Sequence, residues 1–101
     1  MCMMSNRREE LLQVLADARR LLALPDNDFA WSSWSDADDA VSEIDWLIAA
    51  LHRGELPKQT LRVLFTVAGP IQETSLSSGW AHAFLALAER FDTALERLER
   101  E

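Results

Sequence analysis

The last quarter of the sequence, residues 79–101, constrains the fold most strongly because its apolar residues repeat with the period of an α-helix. The residues at this spacing are Trp80, Phe84, Leu87, Ala88, Phe91, Leu95 and Leu98. A helix with one apolar face must bury that face against other segments or against a second copy of the chain. We therefore expect the rest of the chain to cover this helix.

A first helix is predicted from about residue 5 to residue 24. Ser5 or Asn6 can cap its start, and Pro25 disfavours its continuation. Its apolar stripe consists of Leu11, Val14, Leu15, Ala18, Leu21 and Leu22. This stripe predicts a second helical face that packs in the core.

A second helix is predicted from Ser35 or Asp36 to Arg53, because Gly54 follows at the position where a left-handed residue closes a helix. Its core stripe consists of Ala37, Ala40, Val41, Ile44, Leu47, Ile48 and Leu51. Asp38 and Asp39 lie in the first turn, where negative charge interacts favourably with the helix dipole.

Residues 56–76 allow two interpretations. Apolar residues at helical spacing, together with Pro57 at a first-turn position, favour a helix over residues 57–68. Alternation of apolar residues and the Gly69-Pro70 pair fit a β-hairpin over about 61–77 equally well. We favour the helix, followed by a short helical turn from Pro70. The predicted fold is all-α: one domain over residues 1–101, a small bundle of three long helices plus a shorter fourth.

The charge of the chain limits its partners. Seventeen acidic residues oppose ten basic ones, which gives a net charge of −7, and the acids concentrate between Asp26 and Asp45. Negative charge repels phosphate backbones and anionic membranes, so we expect neither nucleic acid nor a membrane as partner. A basic protein surface is attracted instead.

Few residues offer chemistry beyond binding. Cys2 is the single cysteine, and His52 and His82, the two histidines, lack the spacing of a zinc site, so no metal, cofactor or catalytic residue is predicted. Residues 1–6 contain no apolar run of signal-peptide length. We expect a cytoplasmic protein whose residues 1–5 are disordered.

The connector over residues 25–35 carries three aromatic residues, Phe29, Trp31 and Trp34. Because they are costly to leave in water together, we expect the connector to pack onto the helices as a lid. Residues 31–35 also match the WSxWS signature of type I cytokine receptors. In that family the signature belongs to an all-β module with disulfides, so in this predicted helical chain we interpret the match as coincidental.

Trp46 lies off the core stripe of the second helix, between Ala49 and Ala50 on a smaller apolar face. Two interpretations stay open: another segment of the chain covers it, or it lies in a partner-binding or homodimer surface. The polar segment 72–82 precedes the last helix and has the composition of a recognition loop beside Trp80. An ordinary helix connection is the other interpretation.

The sequence therefore predicts a non-catalytic protein-binding or adaptor module, in one form an inhibitor or immunity-type protein whose acidic surface neutralises a basic partner. The predicted partner-binding residues are Asp36, Asp38, Asp39, Trp46, Gln72, Glu73, Trp80 and His82. The alternative is a small ligand-binding domain or enzyme with a pocket lined by Trp31, Trp34 and Trp80.

Overall fold

A computed structural model of the chain describes residues 6–30, 32–66 and 69–100. These residues form five helices: α1 (Asn6–Leu22), α2 (Ala37–His52), α3 (Lys58–Phe65), α4 (Pro70–Ser78) and α5 (Ala81–Glu99). The predicted all-α fold is confirmed, and the short turn predicted after Pro70 is a helix of nine residues. Residues 1–5, predicted to be disordered, and Trp31 lie outside the described residues.

Helix α1 lies at the centre of the bundle, where it packs against α2 and α5. Helix α4 packs against α5 and α3. The predicted apolar face of α5 is buried through Phe84, Leu87, Phe91, Leu95 and Leu98, while Trp80 and Ala88 are partly buried beside it. Helix α1 thus covers most of the apolar face of α5. The apolar stripe of α1 also packs against α2 on another side.

Ion pairs between helices occur at the edges of these contacts. They are Arg90–Asp17 and Arg97–Glu10 between α5 and α1, Arg19–Asp45 between α1 and α2, and Arg62–Glu99 with Lys58–Glu99 between α3 and α5. Most of the side chains involved are about half exposed, so solvent screening leaves each pair with only a small contribution to stability. Packing of the apolar stripes therefore supplies most of the stability.

The alternative β-hairpin over residues 61–77 is wrong, since the described residues of this range lie in α3, in α4 or beside them, and none is in a strand. Leu61, Leu64 and Phe65 are buried at helical spacing, whereas Val63, which strand alternation would place inside with Leu61 and Phe65, is 51% exposed. The Phe65 ring stacks on that of Phe91 in α5, with centroids 4.3 Å apart. Contact with α5 thus favours the helical spacing over the alternating one.

Within the part of the chain that the structure describes, no helix is both long enough and apolar enough to cross a bilayer. Helices α4 and α5 are joined at Gly79, which has a φ of 86° and whose N–H donates to the Ser75 carbonyl. This left-handed closure turns the chain directly from α4 into α5.

Candidate functional site

Residues 26–45 carry the whole net charge of the chain. This acidic segment contains seven acids and no basic residue, whereas the remainder of the sequence holds ten acids and ten bases. The seven acids are Asp26, Asp28, Asp36, Asp38, Asp39, Glu43 and Asp45. A surface formed by this segment therefore has a strongly negative potential.

Asp45 is the acid of this segment that forms an ion pair within the described residues. The Arg19 guanidinium lies 2.7 Å from its carboxylate, and this hydrogen bond holds the pKa of Asp45 below its ordinary value. The carboxylates of the other six acids have no basic partner in the described parts of the chain. Their charge is thus left uncompensated.

The start of α2 orders three of these acids. The Asp36 side chain accepts a hydrogen bond from the Asp39 N–H at 3.0 Å, and the Asp39 carboxylate accepts one from the Ser35 N–H at 3.1 Å. The first of these bonds caps the amino-terminal end of α2, with Asp36 as the N-cap residue, and stabilises the first turn of the helix. The second fixes the residue that precedes the cap. Asp36, Asp38 and Asp39 are all exposed, so their charges face solvent.

The first half of the acidic segment lies against the junction of α4 and α5. The Asp28 N–H donates to the Ser78 hydroxyl at 2.8 Å, and the Trp80 indole Nε1–H donates to the Asn27 Oδ1 at 2.8 Å. Sequence reasoning missed Asn27 and Asp28 as the residues that join these regions. The turn-forming string PDND signalled a bend there but not what it contacts.

The predicted packing of the aromatic connector is confirmed for Phe29 and Trp34. Phe29 packs against the core, and Trp34 is 7% exposed, with its Nε1–H donating to a Glu43 carboxylate oxygen at 3.2 Å. Because both Trp34 and Trp80 donate their indole N–H groups within the protein, neither presents a free donor. Trp31 lies outside the described residues, so the pocket beneath the three tryptophans stays a prediction.

Two surface grooves are lined by other residues. One of about 450 Å³ lies between α3 and α5, above Phe65 and Phe91. One of about 430 Å³ lies between α1 and α5, beside Val14 and Ala94. No tryptophan of the described residues lines either groove.

Trp46 projects from the outer side of α2 and is 53% exposed. Trp34 does not cover it, since Trp34 lies in the core. Ala49 is exposed beside it, but Ala50 is fully buried. The predicted apolar face of Trp46, Ala49 and Ala50 is therefore wrong for Ala50, which lies in the interior. Four exposed residues share the face of Trp46 at helical spacing, namely Asp39, Ser42, Ala49 and Arg53.

The segment 72–82 is helical over most of its length rather than an open loop. Thr74 and Ser75 are buried, and their hydroxyls donate to the carbonyls of Pro70 and Gln72 inside α4. Glu73 and Gln72 are half-buried, and His82 is exposed in the first turn of α5. The exposed apolar residue of this segment is Leu76, at 63%.

No group of three or more metal-ligating side chains occurs among the described residues. Three features could thus recognise a partner: the acidic segment, its contact with the α4–α5 junction, and the exposed face around Trp46. Comparisons of the chain with protein-family models, with curated proteins and with solved structures find no match.

Proposed function

We propose that this protein is a non-catalytic, cytoplasmic binding module whose acidic segment, residues 26–45, receives a basic protein surface. The observation that carries the proposal is the uncompensated charge: this segment holds the whole net charge of −7. Six of its seven acids have no basic partner in the described residues. An inhibitor or immunity-type protein is one form of such a module.

The arrangement of the acids supports association with a basic partner rather than chemistry. Exposed like charges raise the free energy of the isolated protein, and a basic surface removes this repulsion on binding. Long-range attraction of this kind raises the association rate more than it slows dissociation.

The first experiment captures the partner and tests its dependence on charge. Three proteins serve as baits in lysate of the native source: the wild type, an acidic-segment variant and a control variant. The acidic-segment variant has Asp26, Asp36 and Asp38 changed to Asn. Asn keeps the cap at position 36, because Asn is among the preferred N-cap residues. The control changes Glu89 and Glu96 to Gln and Asp92 to Asn, three exposed acids of α5, so both variants lose equal charge.

We expect quantitative mass spectrometry to find a basic protein that the wild type and the control recover and the acidic-segment variant does not. Stopped-flow mixing with that protein should then show an association rate that falls steeply with salt and is lowered in the acidic-segment variant. Equal recovery by both variants, or association indifferent to salt, would contradict the proposal.

A further inference from the structure

The exposed face of α2 around Trp46 has a regular pattern. Asp39, Ser42, Trp46, Ala49 and Arg53 are exposed and follow one another at intervals of three, four, three and four residues. This is the spacing with which one helix presents a continuous seam to another. On its opposite side α2 packs against α1, so the seam lies at the edge of the bundle.

The charges of this seam are placed symmetrically about Trp46. Asp39 lies seven residues before it and Arg53 seven residues after it. At 1.5 Å per residue, each charge is about 10.5 Å along the helix axis from the tryptophan. A two-fold axis through Trp46 and perpendicular to α2 therefore places Asp39 of one copy opposite Arg53 of a second copy, twice over.

We propose that this face is the interface of a homodimer in which two α2 helices pair antiparallel across Trp46. The face is complementary to itself, as a two-fold interface must be. Ser42 and Ala49 are small, so they leave space on either side for the tryptophan of the second copy. A parallel pair would set Asp39 against Asp39 and Arg53 against Arg53, and this repulsion selects the antiparallel arrangement.

Arg53 has a partner within its own chain that the dimer would replace. Its guanidinium lies 2.8 Å from the Glu55 carboxylate, and both side chains are more than half exposed. Exposed pairs of this kind contribute little, so exchanging Glu55 for Asp39 of the second copy costs little. His52, exposed one residue earlier, lies at the same end of the seam and adds no opposing negative charge.

The dimer uses one acid of the acidic segment, Asp39, and does not use Asp26, Asp36 or Asp38, which the acidic-segment variant changes. Failure of the dimer can therefore be distinguished from failure of the proposed function. The test of the dimer is a charge exchange. Asp39→Arg sets arginine against arginine in a homodimer, and Arg53→Asp sets aspartate against aspartate. A mixture of the two variants, however, forms two attractive pairs in a heterodimer. In the antiparallel arrangement the mixture should dimerise as tightly as the wild type, whereas in a parallel arrangement it would dimerise more tightly than the wild type.

Sedimentation equilibrium over micromolar to millimolar concentration should show the wild type at twice its 11.5 kDa monomer mass. Each single variant should dimerise at least about tenfold more weakly, and the equimolar mixture should regain the wild-type constant. Trp46→Glu should be monomeric. Circular dichroism confirms that each variant is folded. A monomeric wild type, or a mixture no more dimeric than its components, would overturn the proposal.

Discussion

Gly69 is predicted to be required for space rather than for backbone freedom. A Cβ atom built at this position would lie 2.6 Å from the Val63 carbonyl oxygen and 2.9 Å from that of Thr66. Its own backbone is extended, with φ of −79° and ψ of 174°, which any residue adopts. Because the obstructing atoms are backbone at the end of α3, they cannot rotate away, and α3 must shift relative to α4.

Overpacking of this kind costs about 1 to 3 kcal/mol. For a domain of this size, Gly69→Ala should therefore lower the melting temperature by roughly 5 to 20 °C. Gly54 provides a matched control: its φ is 90°, and nothing lies within 4 Å of a Cβ built there. At Gly54, alanine should cost about 1 to 2 kcal/mol because of the left-handed backbone alone.

Asparagine substitutions distinguish the steric cause at Gly69 from the backbone cause at Gly54. Asparagine tolerates the left-handed conformation, so Gly54→Asn should be less destabilising than Gly54→Ala. It is larger than alanine, so Gly69→Asn should be more destabilising than Gly69→Ala. Urea unfolding followed by circular dichroism measures all four variants. If asparagine is the milder substitution at both positions, the steric explanation for Gly69 is refuted.

Three further predictions concern the core and its edge. Ile44 is fully buried in α2, so Ile44→Asp should destabilise by about 3 to 5 kcal/mol in urea unfolding, against about 1 kcal/mol for the Ile44→Val control; equal melting temperatures would mean that this face is not in the core. Trp34→Phe leaves Glu43 without its indole donor and should cost about 1 kcal/mol in the same assay. The lowered pKa of Asp45 means that its ion pair with Arg19 stabilises fully above the ordinary pKa of aspartate and less as pH falls below about 4, so Asp45→Asn should flatten this part of a pH–stability curve.

Apolar periodicity was sufficient to predict α1, α2 and α5 because each of them buries one continuous apolar stripe. In α3, helical spacing and strand alternation both fit the apolar residues. The contacts of the folded chain distinguish the two, since Phe65 stacks on Phe91 of α5 and Val63 is exposed. The burial of Ala50 was missed for a related reason. A small side chain carries a weak periodic signal, so its neighbour Trp46 dominated the prediction.

The candidate site was less predictable because its contacts are distant in sequence. Trp80 and Asn27 are 53 residues apart, and no local pattern indicates that the indole donates to that amide. Polar composition also misled: Thr74 and Ser75 look like recognition residues but bury their hydroxyls against carbonyls of their own helix. Hydroxyl groups in a helix can donate hydrogen bonds to carbonyls of the preceding turn, so a segment rich in polar residues need not form a polar surface.

Added salt should strengthen the proposed homodimer and slow the proposed association with a basic partner, because net charge opposes the first interaction and favours the second. Two copies that each carry −7 repel one another over a distance that shrinks from about 30 Å in 0.01 M salt to about 8 Å at physiological ionic strength. The close pairs of Asp39 with Arg53 are screened less, so salt in this range should strengthen the dimer. Association of the acidic segment with a basic partner should slow over the same range, since the steering attraction is long-ranged. Sedimentation equilibrium and stopped-flow mixing in identical buffers measure both responses, and a dimer that weakened in parallel with partner association would contradict the separation of the two surfaces.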